Sequence, residues 1–133
     1  MGRPQSFDTP DALRRAAAVF ARRGYEGASI SHLVEATGLK RGSLYGAFGS
    51  KAELFRESFG AAVGAAESPD LVTDLLVVAL RERAAYDPVV AATTERAIAW
   101  LASSSSAPIS ELVFTRLLAV ARPATGGEEE RTP

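Results

Sequence analysis

The chain has 133 residues, of which 47% are hydrophobic, and its 15 Lys and Arg residues nearly balance 16 Asp and Glu residues. That length is enough for one compact body with a real hydrophobic core, with or without a small head. The sequence contains no cysteine, which excludes disulfides, thiolate zinc sites and cysteine nucleophiles. We expect a cytoplasmic protein, because no secretory leader opens the sequence and no apolar run approaches the ~18 residues of a membrane span.

Charge is distributed unevenly along the chain. Residues 1–60 carry nine Lys or Arg residues against six Asp or Glu residues, whereas residues 61–133 carry six against ten. Such an asymmetry hints that the first half faces a polyanion. It is weak evidence by itself, since surface charges on helices scatter this widely by chance.

The first predicted helix has a clear start and a clear end. Thr9 is a suitable N-cap, Pro10 suits the first helical position, and Gly24 ends the helix as a left-handed residue would. Between them, apolar residues recur at the spacing of one buried helical stripe. The stripe consists of Leu13, Ala16, Ala17 and Phe20.

Three further helices are predicted before residue 65. Two short ones cover about 29–36, with Ser29 as N-cap, and about 40–47. The next helix begins at Ser50, which with Glu53 three residues later forms the S-x-x-E pattern of a capping box.

The second half of the chain is also predicted to be helical. Apolar periodicity indicates helices at about 70–86, 89–104 and 107–122. No alternating strand pattern competes with them. The remaining residues, 123–133, are polar and rich in Gly, Pro and Glu, so we expect a disordered tail whose acidic run Glu128–Glu130 is simply solvated.

The short helices around residue 38 form the pattern of a helix-turn-helix. Two helices joined by a three- or four-residue turn containing glycine allow the second to enter a DNA major groove. Lys40 and Arg41 lie at the end of that helix where side chains reach base edges, small residues permit close approach, and Tyr45 and Lys51 suit phosphate oxygens. The candidate contacts are Lys40, Arg41, Gly42, Ser43, Tyr45, Gly46 and Lys51.

Residues 13–55 resemble the DNA-binding domain of the TetR-type transcriptional repressors. The segments AVFARRGYEGAS, HLVEATGLKRGSLY and YGAFGSKAELF carry the resemblance, which extends over about residues 7–59. It implies a homodimer whose recognition helices read a palindromic operator, and a helical C-terminal domain that dimerises and usually binds a small-molecule inducer. By position, it implies DNA contacts by Arg41, Ser43, Tyr45 and Lys51, and a DNA-backbone contact by Ser29.

The sequence departs from the family pattern at three places. Lys40 stands where a small capping residue is usual, so the recognition helix loses a cap worth about 1 kcal/mol and gains a cation. Gly46 and Ala47 replace bulkier residues, which removes candidate contacts. The C-terminal part is also shorter than in typical members, so the usual enclosed pocket is not assumed.

We therefore predict an all-α protein with a three-helix DNA-binding domain at 1–49, a helical regulatory and dimerisation domain at 50–122, and the tail. Aromatic and apolar residues of the second domain either line an effector pocket or fill a core and dimer interface, with core or interface favoured. They are Phe59, Tyr86, Trp100, Phe114 and Leu117.

Two functions from different classes fit these patterns. The leading interpretation is a dimeric DNA-binding transcriptional repressor that an effector releases from its operator. The alternative is a small-molecule sensor or protein-interaction module with weak or non-selective DNA binding. An enzyme, a cofactor and a metal site are not expected, because the single histidine, His32, lies at a helix start and no carboxylate pair faces a base.

Overall fold

The computed structural model describes residues 7–121, and within that range the chain forms seven α-helices and no strand, which confirms the all-α prediction. None of these helices is long and apolar enough to cross a membrane. The predicted tail lies outside the described residues. The helices are α1 (Thr9–Arg23), α2 (Ile30–Thr37), α3 (Arg41–Phe48), α4 (Lys51–Gly64), α5 (Pro69–Glu82), α6 (Pro88–Ser104) and α7 (Ile109–Ala121).

The first helix begins one residue earlier than predicted. Asp8, rather than Thr9, is the N-cap, and its carboxylate accepts a hydrogen bond of 3.1 Å from the Asp11 amide. Aspartate caps better than threonine, and its charge also complements the positive end of the helix dipole. The predicted end at Gly24 is confirmed, but the residue has a φ of 78° with a ψ of 177°, which is not the predicted left-handed helical conformation.

The caps of α2 and α4 differ in a way the sequence did not show. Ser29 caps α2 as predicted, and the His32 ring closes a reciprocal capping box by accepting from the Ser29 amide at 3.1 Å. Ser50 caps α4 by accepting from the Glu53 amide, but only this half of the predicted box forms. The Glu53 carboxylate lies instead against Gly49, where an added Cβ would meet it.

The predicted helix at 70–86 ends four residues early, at Glu82. The amides after Glu82 both turn back to the Ala79 carbonyl, at 3.0 and 2.7 Å, which closes the helix. Asp87 is needed as the N-cap of α6, where it accepts from two amides of the first turn. The chain must therefore leave α5 before residue 87, and we call residues 82–87 the α5–α6 corner.

An aromatic cluster joins the first half of the chain to the second. The centre of the Phe55 ring of α4 lies 5.1 Å from the ring centre of Phe20 and 5.6 Å from that of Tyr25, both in edge-on contact. It lies 5.9 Å from the ring centre of Phe59. All four side chains are buried, and they belong to one hydrophobic cluster that continues into α5 and α6. One hydrophobic core therefore continues across residue 49, where we predicted a domain boundary. That boundary stays a prediction.

A buried carboxylate ties α4 to the α5–α6 corner. The Asp87 side chain, 1% exposed, accepts a 2.6 Å hydrogen bond from Arg56 of α4 and lies 3.7 Å from Arg83. Burial alone would raise the pKa of Asp87, but the Arg56 guanidinium and the amides of Val90 and Val89 lower it below its ordinary value. The ionised form is therefore part of the fold.

The last described helix is attached on one side only. Arg116 of α7 donates to Asp70 at 2.5 Å and lies 3.3 Å from Asp74, both on α5. Half-buried apolar residues on the same side of α7, Ile109 and Val113, pack against the core. The outward side is apolar as well, with exposed fractions of 61%, 39% and 45% for Phe114, Leu117 and Leu118.

We predict that Asp87→Asn lowers the free energy of unfolding at pH 7 by about 2 kcal/mol, because Arg56 and Arg83 lose their buried counter-charge. A carboxylate with a lowered folded pKa stabilises the fold above its unfolded pKa of about 3.9, and this contribution disappears as pH falls through the folded value. Urea unfolding followed by circular dichroism should therefore show the difference from the native chain shrinking below about pH 4.

Asp70→Asn is the matched control, since Asp70 is 86% exposed. It should change stability little at any pH. An equal loss for Asp87→Asn at neutral and acidic pH would contradict the role given to its charge.

Candidate nucleic-acid interface

The turn between α2 and α3 is built by local hydrogen bonds. Gly38 ends α2 in the left-handed conformation, with a φ of 73°. The Thr37 hydroxyl donates to the Leu33 carbonyl at 2.7 Å and accepts from the Leu39 amide at 3.3 Å. Leu33 and Leu44 are fully buried, so each short helix is held by one inward leucine. This arrangement is the helix-turn-helix that the sequence predicted.

One side of α3 is open to solvent from end to end. Lys40 is the N-cap and makes no side-chain cap hydrogen bond, as expected from the missing small residue. Neither Lys40 nor Arg41 forms an ion pair within residues 7–121. Tyr45 is half-buried, while the inward side is formed by Leu44 and Phe48. The exposed residues are Lys40, Arg41, Gly42, Ser43 and Gly46.

The two glycines of α3 are not required by the packing of this chain. Beyond the backbone of α3 itself and the adjoining residues, a Cβ added at Gly42 or at Gly46 would meet no atom of residues 7–121 within 4 Å, and neither residue has a positive φ. A helical glycine costs about 0.5 to 1 kcal/mol relative to alanine. The open space above both residues therefore suits a partner that approaches the helix backbone closely. The cations Lys40 and Arg41 at the start of α3 indicate that this partner is negatively charged.

Lys51 places the start of α4 beside the start of α2. Its ammonium donates to the Ala28 carbonyl at 3.1 Å and lies 4.6 Å from the centre of the Tyr25 ring. Ser29 follows Ala28 directly, and its exposed hydroxyl already accepts the capping bond from the His32 amide. The predicted contacts Ser29 and Lys51 are thus neighbours, and two contacts hold the Lys51 ammonium.

The five residues predicted to line a pocket or an interface do not come together in one enclosed cavity. Phe59 is fully buried in the core, Trp100 is half-buried against it, and Tyr86 is 80% exposed. Phe114 and Leu117 lie on the outward side of α7, so for these two the interface alternative stays a prediction. Within the described range, no three His, Asp or Glu side chains are grouped to hold a metal ion.

Sequence reasoning missed the contacts that hold Tyr25. The Glu82 carboxylate accepts from the Tyr25 amide at 3.0 Å and from the Glu26 amide at 2.9 Å. The Arg83 guanidinium lies 4.5 Å from the centre of the Tyr25 ring, and burial raises the pKa of the phenol. No local pattern predicts these contacts, because 57 residues separate Tyr25 from Glu82.

Comparison with known proteins shows which proteins this chain is similar to. Residues 12–58 match the sequence profile of the bacterial regulatory proteins of the tetR family. The transcriptional repressor ComR of Escherichia coli (strain K12) is 49% identical over 55 residues, which cover 41% of this chain and 26% of ComR. The repressor BdcR of the same organism is 35% identical over 75 residues, which cover 55% of this chain and 38% of BdcR. The chain thus spans well under half the length of these curated relatives.

A solved structure with 35% sequence identity is that of a cysteine mutant of the TetR family transcriptional regulator CifR, complexed with 26-base-pair operator DNA. It aligns with 89% of this chain and 65% of that chain, with a TM-score of 0.46. The matched profile begins in α1, includes the whole α2–α3 pair and ends in α4. Over residues 12–58, which include the helix-turn-helix, the chain is thus similar to the tetR family of bacterial regulatory proteins.

Proposed function

We propose that this protein is a DNA-binding transcriptional repressor whose α3 helix enters the major groove. The observation that carries the proposal is the open space above Gly42 and Gly46, which no residue in the described range 7–121 fills. A helix with so little side-chain bulk allows a duplex to approach its backbone. The profile match over residues 12–58 supports the same reading, since the matched relatives ComR and BdcR are named as repressors.

The exposed side chains divide into two classes of contact. Arg41 and Ser43 occupy the first turn of α3, directly after the N-cap Lys40, and recognition helices read base edges from this end. Lys51 and Tyr45 flank the helix and suit phosphate oxygens, which fix the register of a protein on DNA without reading sequence. Arg41 is then the residue of specificity and Lys51 the residue of general affinity.

We predict that Arg41→Ala costs about 1 to 3 kcal/mol of binding to the operator and relaxes base preference, whereas Lys51→Ala weakens all sequences alike. The measurement is fluorescence anisotropy on DNA from beside the protein's own gene and on scrambled DNA of equal length. Arg96→Ala is the control, because it removes an exposed cation of α6. If Arg41→Ala weakens both duplexes equally, the base-reading role is wrong.

We predict opposite effects of Gly46→Ala on stability and on function. The variant should unfold at a higher urea concentration, by about 0.5 to 1 kcal/mol, because alanine favours the helix and meets no neighbour. Its affinity for the operator should fall, since the new methyl group occupies the space of the duplex. Gly60→Ala is the matched control, because Gly60 is also helical with open space above it but lies in α4.

Gly60→Ala should therefore raise stability and leave DNA binding unchanged. Native affinity for the operator in Gly46→Ala would show that nothing approaches this side of α3.

The proposal includes a homodimer. The outward residues Phe114, Leu117 and Leu118 give α7 an apolar surface opposite its own core contacts, and a second copy would cover it. A two-fold dimer presents two α3 helices to one duplex, so its operator is an inverted repeat. Control by a small-molecule effector, which the resemblance implies, stays a prediction. We also infer a cytoplasmic regulator rather than an enzyme, in keeping with the named relatives.

A further inference from the structure

We propose that Tyr25 is a positioning residue for DNA binding, which Glu82 holds in place and which fixes the Lys51 ammonium at the DNA-facing side. The proposal rests on the function proposed above and adds a role for the α5–α6 corner. No contact of the Tyr25 ring or backbone was predicted from the sequence.

The Lys51 ammonium is held by two groups of the turn between α1 and α2. It donates to the Ala28 carbonyl at 3.1 Å and lies 4.6 Å from the centre of the Tyr25 ring. An ammonium has three donors, so these contacts leave hydrogen available for a phosphate oxygen. A lysine that is already ordered loses less rotamer freedom on binding than one that samples solvent.

The turn itself is fixed to the end of α5. Each Glu82 oxygen accepts from a different amide, one from Tyr25 at 3.0 Å and the other from Glu26 at 2.9 Å. Gly24 passes directly beneath, where an added Cβ would lie 2.8 Å from the Glu82 carboxylate. The position of the Tyr25 ring therefore depends on a residue 57 positions further along the chain.

A second cation shares the same ring, and its charge is compensated nearby. The Arg83 guanidinium lies 4.5 Å from the ring centre and 3.7 Å from the buried Asp87 carboxylate. The Asp87 carboxylate offsets part of the repulsion between the two cations around this ring. The contacts thus form one chain from Asp87 through Arg83 and Tyr25 to Lys51, which links the C-terminal helices to a DNA contact.

Two roles of Tyr25 must be separated by experiment. As a core residue it would affect DNA binding only by destabilising the fold. The factors by which its removal and the removal of Lys51 weaken DNA affinity would then multiply in the double variant. As a positioning residue it acts through Lys51, so removal of both would cost no more than removal of one. A double-mutant cycle measured on DNA affinity distinguishes these cases.

The experiment uses the full chain and one duplex of fixed sequence, with affinity measured by fluorescence anisotropy near physiological salt. We expect Tyr25→Leu and Lys51→Ala each to weaken binding by about fivefold, and the double variant by about the same factor. Tyr25→Phe should keep native affinity, because the ring faces the cations. Tyr86→Leu is the matched control, an exposed tyrosine of the same corner.

Losses of Tyr25→Leu and Lys51→Ala that multiply in the double variant would overturn the proposal. A native chain that fails to bind the duplex would instead contradict the proposed function, so the two failures are distinguishable. If Tyr25→Leu does not fold, Glu82→Gln replaces it in the cycle, because glutamine keeps the side-chain shape but has only one accepting oxygen for the two amides. Full multiplication in that cycle would likewise overturn the proposal.

Discussion

The edge-on packing of Phe55 against Phe20 and Tyr25 is the interaction on which the rest of the structure depends. It fixes α4 against α1, and α4 in turn carries Lys51 at its start and contacts α6. Two short helices of eight residues each are too brief to be stable alone. They keep their orientation because α1 and α4 supply the buried surface against which Leu33 and Leu44 pack.

The weak points of α3 are consistent with a helix that is completed by its partner. It has no side-chain N-cap bond, two glycines with open space above them, and two cations at its start that form no ion pair among residues 7–121. The missing cap at Lys40 was one reason to consider the alternative, a small-molecule sensor or protein-interaction module with weak or non-selective DNA binding. The structure gives this alternative no separate support, since the same turn is exposed and the predicted pocket residues do not converge.

The local features of the fold could be predicted from the sequence, and the long-range ones could not. Ser29 and Gly38 act as caps because neighbouring residues dictate it, so α2 and its turn were predictable. Asp8 rather than Thr9 caps α1 because aspartate is the stronger cap, and the apolar periodicity does not reveal this difference. The contacts of Glu82 with Tyr25 and of Asp87 with Arg56 join residues more than 30 positions apart, which no local pattern encodes.

The most direct test of the central claim is to select binding sites for the full chain from a pool of randomised duplexes and to sequence the retained DNA. If a homodimer reads bases through α3, the retained sequences should share an inverted repeat whose half-sites lie about one helical turn, or a small multiple of it, apart. Retained DNA with no common sequence would contradict the account, because the chain would then bind the DNA backbone without reading it.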